Sequence, residues 1–396
     1  MGEMNLPEHW KAVRLGEVTE IFKGGTPKRS VEKYFQGDVP WAIPTDITAL
    51  DSGLYIDDTN THISEEALGK SAARLLPAGT VLLTSRATIG ETAIPTIPMA
   101  TNQGFANFLC KEMLLNIYLA YYLRNIKQRL KDLASGSTFK EITKGTLLNV
   151  KIPLPPLPEQ RAIAHVLQTI QEAKAARQRE IALERERKAA LMDFLFSHGT
   201  RDEPRKQTEI GEIPESWEVL ELGEIVTLQR GKDLPVQSRQ AADIPIVGSN
   251  GIVGRHNNPV ENIPVPGVAT GRSGSIGHLT YIDQPYWPLN TALYVRDFHG
   301  NDPMFVYYWL HRFPFEKYSQ GVSVPTLNRN LVHPVPFRLP LLSEQKEIAG
   351  ILQAFDTKIA ALEQESARLD ELFHAMLDEL MTGKRSAVPL IDTELP

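Results

Sequence analysis

An internal repeat limits what this chain can fold into more than any other feature of its sequence. The stretch Glu8-His-Trp-Lys-Ala-Val-Arg-Leu-Gly-Glu17 returns as Glu215-Ser-Trp-Glu-Val-Leu-Glu-Leu-Gly-Glu224, matching Trp10 with Trp217 at a separation of 207 residues. Further on, Thr84-Ser-Arg-Ala-Thr-Ile-Gly90 resembles Thr270-Gly-Arg-Ser-Gly-Ser-Ile-Gly277, and Ile117–Arg124 resembles Met304–His311, now at a separation of about 187. Leu154-Pro-Pro-Leu-Pro-Glu-Gln-Arg-Ala-Ile-Ala164 returns as Leu339-Pro-Leu-Leu-Ser-Glu-Gln-Lys-Glu-Ile-Ala349 at 185. The chain is two copies of one unit. The falling separation assigns about 20 extra residues to the first copy, which the sequence places around Thr26–Thr61. Divergent loops on a duplicated scaffold are where different specificities belong.

Each copy has two parts. Short β-rich runs such as Thr80–Thr84 and Leu293–Val295, many Gly and Pro turns and a helix near 115–133 predict an α+β domain. A proline cluster then precedes a long helix that ends before Gly199 or Gly383. The expected divisions are 1–157 and 201–342 for the domains, 158–200 and 343–384 for the helices, and a tail at 385–396. In the C-terminal helix Ile348, Leu352, Phe355, Ile359, Leu362, Ser366, Leu369, Phe373, Met376 and Leu380 step by four and three, the seam of a coiled coil. The central helix continues the rhythm at Ile163, Leu167, Ile170, Ile181, Leu191 and Leu195, but Lys174, Arg177, Glu184 and Lys188 interrupt it. Ala173, Ala175, Ala176, Ala182, Ala189 and Ala190 are expected to permit close helix approach instead. Helices of about 40 residues, roughly 60 Å long, outrun a compact domain, so an antiparallel pair is expected. Parallel pairing between two chains would also bury the stripe.

With 42% apolar and 23% charged residues the composition is that of a folded protein. Neither a signal peptide nor a membrane span is expected, and the lone Cys110 forms no disulfide or zinc site by itself, which points to the cytoplasm. The formal charge of −6 argues against indiscriminate coating of nucleic acid, and residues 343–396, with 5 basic and 11 acidic groups, hold the excess of acidic over basic groups. Catalytic signatures fail one after another. Gly69-Lys70-Ser71 lacks the upstream glycine of a phosphate loop, Gly271–Gly277 spaces its glycines unlike a dinucleotide fingerprint, and Asn257-Asn258-Pro259-Val260 is a poor imitation of an amino-methyltransferase motif. No metal site is expected, His165 and His374 lie on the long helices, and Trp10 and Trp217 are expected to pack at the domain starts.

The duplicated domain, the Pro-rich entry, the Glu-Gln-Arg/Lys-x-Ile-Ala helices, Pro214-Glu-Ser-Trp217, Glu184–Gly199 and Leu377–Gly383 together resemble the specificity subunits of type I restriction–modification systems. That resemblance implies a non-catalytic DNA reader: two α/β target-recognition domains joined by an antiparallel helix pair, each reading half of a bipartite, asymmetric site in double-stranded DNA. It further implies that the helices bind two methyltransferase subunits, with restriction subunits completing the nuclease. S-adenosylmethionine, ATP and Mg are then the partners' cofactors, and this chain holds none. The other readings are a subunit of a methylation-only or fused restriction system, a methyltransferase or nuclease acting alone, and a coiled-coil adaptor that binds no DNA.

Candidate DNA contacts are basic, amide and hydroxyl side chains on loops, because Arg and Asn or Gln can address base edges while Lys neutralises phosphate. In the first copy these are Lys23, Thr26, Lys28, Arg29, Arg86, Thr88, Lys140 and Lys144; in the second, Arg230, Lys232, Arg239, Asn250, Arg255, Arg272, Ser273, Ser275 and Arg329. Arg86 and Arg272 recur at one point of the repeat and form the strongest pair; the alternative role for both is a salt bridge within the domain. A helical spacer of about 60 Å caps the distance between the two readers at roughly 18 base pairs. So few surplus cations predict weak DNA binding by the free chain.

Overall fold

A computed structural model describes residues 6–50, 53–136, 140–321 and 325–391. The chain forms two compact units, one of Met1–Arg179 with Glu363–Pro396, the other of Glu180–Leu362. The central helix, Leu157–His198, and the C-terminal helix, Leu342–Met381, each contribute one part to each unit. The expected tail is described as far as Ile391; residues 392–396 lie outside the described residues.

In the first unit a five-stranded sheet runs in the order Thr19–Lys23, Phe105–Cys110, Val81–Thr84, Thr92–Pro95, Tyr55–Ile56. The second unit repeats four of these as Thr227–Arg230, Ala292–Asp297, Gly267–Gly271, Leu279–Ile282. Val81–Thr84 is buried at every position, as a continuous apolar run in a central strand should be. The expected helix at 115–133 is two, Asn116–Asn125 and Lys127–Leu133, broken at Ile126. The surplus of the first copy falls in the later part of the expected 26–61. Trp41 pairs in parallel with Ala100 as Ile246 does with Trp287, a separation still near 205, so the extra residues follow Ala42. They include the helix Pro44–Thr48 and the edge strand Tyr55–Ile56.

The Glu-Gln pair that opens each long helix ties it to its domain. Gln160 Nε2 donates to the carbonyls of Pro155 (2.8 Å) and Met113 (3.0 Å), while its Oε1 accepts from the backbone of Leu115 (2.8 Å), the N-cap of Asn116–Asn125. Gln345 does the same with Pro340 (3.0 Å), the Asn301 side chain (2.8 Å) and the backbone of Asp302 (3.0 Å), the N-cap of Pro303–Leu310. Trp10 Nε1 donates to Glu159 Oε2 at 2.9 Å and Trp217 Nε1 to Glu344 Oε2 at 3.0 Å, both indoles being buried. The matched tryptophans therefore do pack at the domain starts. Tyr121 and Tyr308 complete the set, their hydroxyls donating to Gln171 Oε1 (2.7 Å) and Asp356 Oδ2 (2.5 Å). Buried polar groups need such partners, so each indole fixes the position of its helix.

Within the first unit the start of the central helix packs against the end of the C-terminal helix, so the two are antiparallel there. Ile163, Leu167 and Ile170 share a core with Phe373, Leu377 and Leu380, and Leu369 and Met376 pack on it. In the second unit Leu195 shares a core with Ile348 and Leu352, Leu191 packs on it, and Ile181 meets Ile359 and Leu362. Phe355 and Ser366 are half-buried. The four charges that interrupt the apolar register are matched across the helices: Lys174 with Asp370, Arg177 with Glu365 (2.9 Å), Glu184 with Lys358 (2.9 Å) and Lys188 with Asp356. The alanines play no part in close approach. Ala173, Ala176, Ala182, Ala189 and Ala190 are exposed and Ala175 is half-buried, because the seam is filled by the stems of the paired charges instead.

Candidate nucleic-acid interface

The site grows from the end of the sheet in each unit, where the strand following the Leu-Gly-Glu motif stops at a cation. Lys23 closes Thr19–Lys23 opposite Ala106, and Arg230 closes Thr227–Arg230 opposite Leu293. The next residue must be glycine: a Cβ on Gly24 would lie 1.9 Å from the Asn102 carbonyl oxygen and one on Gly231 2.1 Å from that of Leu289. A turn after the next strand but one in the sheet brings in a second cation, Arg86 or Arg272, and a third segment docks across it. Ile142 N donates to the Ser85 carbonyl (3.0 Å) and Leu327 N to that of Arg272 (2.7 Å).

These bonds correct the expected equivalence of Arg86 and Arg272. Ser85 N bonds the Gly104 carbonyl and Arg272 N that of Thr291, while Arg86 bridges to Glu141 and Ser273 to Thr326. Arg272 thus stands where Ser85 does, and Arg86 where Ser273 does. The turn has the same length in both copies, closed by the pairs Leu83–Thr92 and Thr270–Leu279, but the Thr-x-Arg triplet lies one residue earlier in the second, so matching on that triplet misplaces one arginine. Lys23 and Arg230 are equivalent, as are Lys144 and Arg329, which open short helices after the N-caps Thr143 and Asn328.

In the first unit the two cations share one carboxylate. Glu141 Oε2 lies 2.7 Å from Arg86 and its Oε1 3.3 Å from Lys23 Nζ. Burial alone would raise the Glu141 carboxyl, but the hydrogen bonds from Arg86 and Lys23 outweigh it and hold the group below the ordinary carboxylate range. For Arg86 the salt-bridge alternative is therefore what the structure contains. Glu141, flanked by Lys140 and Lys144, is the residue sequence reasoning missed, because a search for DNA contacts passes over an acid.

The second unit has Thr326 at that place. Arg230, Arg272 and Arg329 line an open cleft of about 600 Å³ together with Gln229, Gln320 and Asn328. Arg272 reaches the Asn290 carbonyl at 3.4 Å and Arg329 that of Leu228 at 3.1 Å, but among the described residues no carboxylate pairs with any of the three. Burial and the neighbouring Arg230 lower the affinity of Arg272 for its proton, the mark of cations held together without a counter-ion. Gln229, Gln320 and Asn328 were not among the expected residues; their amides carry no signal until the fold gathers them.

Ser273 pairs with Thr326 beside the second cluster, and the other candidates lie outside both clusters. Thr26 bonds Gln103, Lys28 and Arg29 are exposed before the short helix Glu32–Phe35, and Thr88 lies exposed in the turn after Arg86. Lys232 is bound through its backbone to Pro288 and Asn290. Asn250 sits at the tip of the hairpin Ile244–Gly248 and Gly251–His256, which carries Arg255. Arg255 donates to the Asp243 carbonyl at 2.6 Å and Arg239 to that of Leu234 at 3.3 Å. Ser273 and Ser275 belong to the turn after Arg272. Among the described residues no cluster of metal-binding side chains occurs, and no helix is long and apolar enough to cross a membrane.

A family model described as the type I restriction modification DNA specificity domain matches residues 7–185 and again 214–371. The specificity subunit of the type I restriction enzyme MjaIX of Methanocaldococcus jannaschii is 36% identical over 257 residues, 61% of this chain and 58% of that relative. The MjaVIII subunit of the same organism is 24% identical over 97% of this chain and 95% of its own length. A crystal structure of a type I restriction–modification S subunit from M. genitalium superposes with a TM-score of 0.61 at 16% identity, covering 96% of this chain and 97% of that one. A chain from a structure concerned with complex assembly and conformational transition of the type I system gives 0.62 at 20% identity over 97% and 100%.

Proposed function

We propose, since this chain belongs to the type I restriction–modification DNA specificity family, that each of its two units reads one half of a bipartite, asymmetric site in double-stranded DNA. The observation that carries this reading is that one sheet end, built to the same hydrogen-bond plan, occurs twice with different side chains at its chemically addressable positions. A single reader duplicated without change would recognise a repeated half-site; Lys23, Ser85, Arg86 and Glu141 against Arg230, Arg272, Ser273 and Thr326 would not. Arginine and amide side chains at such a surface offer paired donors to base edges, and lysines offer charge to phosphates.

The chain contributes recognition and assembly, and the chemistry belongs to its partners. Two methyltransferase subunits bind the long helices and transfer a methyl group from S-adenosylmethionine to adenine; restriction subunits using ATP and Mg complete the nuclease. The complex works in the cytoplasm, where its DNA is. Exposed side chains along the helices outside the seam, among them Leu183 and Leu372, leave surface for these partners.

Long-read sequencing of the source cell's methylome, with and without this gene, tests the reading. Loss of adenine methylation at one gapped, asymmetric motif is the expected result. An unchanged methylome in a cell whose methyltransferase subunit is expressed would overturn it and favour a scaffold that reads no DNA.

A further inference from the structure

The acid at position 141 and its replacement by threonine at 326 make the two sheet ends electrically different. Glu141 sits between Lys23 and Arg86 within ion-pair distance of both, so that one carboxylate offsets one of the two positive charges at this end. Thr326 occupies the same hydrogen-bonding place against the arginine turn and contributes no charge, leaving Arg230, Arg272 and Arg329 around an open cleft. Three guanidinium groups that repel one another and face solvent form a site for an anion.

We propose that the residue at position 141 or 326 sets how many DNA phosphates each unit neutralises: the second unit anchors the duplex through its three arginines, and Glu141 holds the first unit's cations back from the backbone. This rests on the DNA-reading function above and deepens it, because the two halves of the site would be held with unequal electrostatic grip. The first unit, relieved of that task, would discriminate more by base contacts and less by charge.

Reciprocal exchange tests the proposal. The full chain, assembled with its methyltransferase subunits, is titrated with a mixed-sequence DNA duplex over a range of salt concentrations, because each phosphate contact adds about 0.9 to the slope of log affinity against log salt. Thr326→Glu should flatten the slope by about one to two contacts, weakening binding roughly 3-fold or more per contact at low salt. Glu141→Thr should steepen it by a similar amount and tighten binding. Glu141→Gln, which keeps the side chain's volume, gives the same reading should the threonine variant fold poorly. Unchanged slopes in both exchanges, or a change in only one, would overturn the proposal while salt-dependent binding by the wild type leaves the DNA-reading function standing. A wild-type assembly that binds no duplex at any salt concentration overturns both.

Discussion

The two units differ least where they hold their helices and most where their sheets end. Trp10 and Trp217, Glu159 and Glu344, Gln160 and Gln345, and Tyr121 and Tyr308 make matching bonds in the two copies. At the sheet ends, by contrast, an acid faces a threonine, and an arginine is displaced by one residue. A duplicated protein can thus keep one mechanical plan while its surfaces drift apart. Its anchors are buried and mutually dependent, whereas its loop ends answer only to solvent and ligand.

The comparison is tested most severely by what both copies share. Removing a matched heptad from each long helix should leave each half-site preference intact and change only the gap between them, abolishing modification at the original motif. Methylome sequencing of cells carrying the shortened chain reads both at once, and an unchanged gap would contradict a spacer role for the helices. Next in size, Trp10→Ala and Trp217→Ala should each cost about 3–5 kcal/mol in denaturant unfolding, by loss of packing and of the bond to a buried carboxylate. Comparable losses in the two would support a shared plan.

Smaller changes separate the copies. Glu344 also accepts from Thr200, through its backbone N (2.7 Å) and its hydroxyl, while Glu159 Oε1 is buried without a partner. Glu344→Gln should therefore cost about 1–3 kcal/mol by calorimetry or denaturant melts, and Glu159→Gln clearly less. Arg272→Ala should lower DNA affinity and relax preference at the second half-site, a loss of about 1–3 kcal/mol in binding titrations if it meets a base. Arg86→Ala should act more on stability, since it strips Glu141 of a partner; if neither substitution alters affinity or half-site preference, the arginine assignment fails. The smallest effect belongs to Asp370, whose carboxyl is held low chiefly by the Lys174 hydrogen bond. A depressed carboxylate stabilises the fold above its ordinary range near 3.9 and ceases to do so as pH falls through the lower folded value. Solvent screening leaves Asp370→Asn only a few tenths of a kcal/mol at neutral pH, and pH-dependent melting should show the difference vanish in acid.

The sequence already contained the plan of duplication, because the anchors are rare residue types at fixed spacing, and the seam was legible because ten positions keep one period. Its interruption at Lys174, Arg177, Glu184 and Lys188 needed the second helix to be understood. Each charge is sensible only opposite its partner, and without that partner nearby alanines offered themselves as the contact surface. The sheet ends were legible only in part. Lys23-Gly24 and Arg230-Gly231 mark the same strand end, but no local rule reveals that Glu141, more than fifty residues past Arg86, would neutralise it. A Thr-x-Arg triplet shifted by one position along turns of equal length was enough to place Arg272 out of register with its apparent match.

The composition of the first unit's core bears on the order in which the newborn chain can settle. Phe373, Leu377, Leu380 and Met381 are buried with Trp10, Tyr121 and Leu167, so that core stays open until the C-terminal helix has been synthesised. The second unit draws on one continuous stretch, Glu180–Leu362, and can close while its neighbour still waits. On the ribosome, of these two units the one begun first is the one finished last.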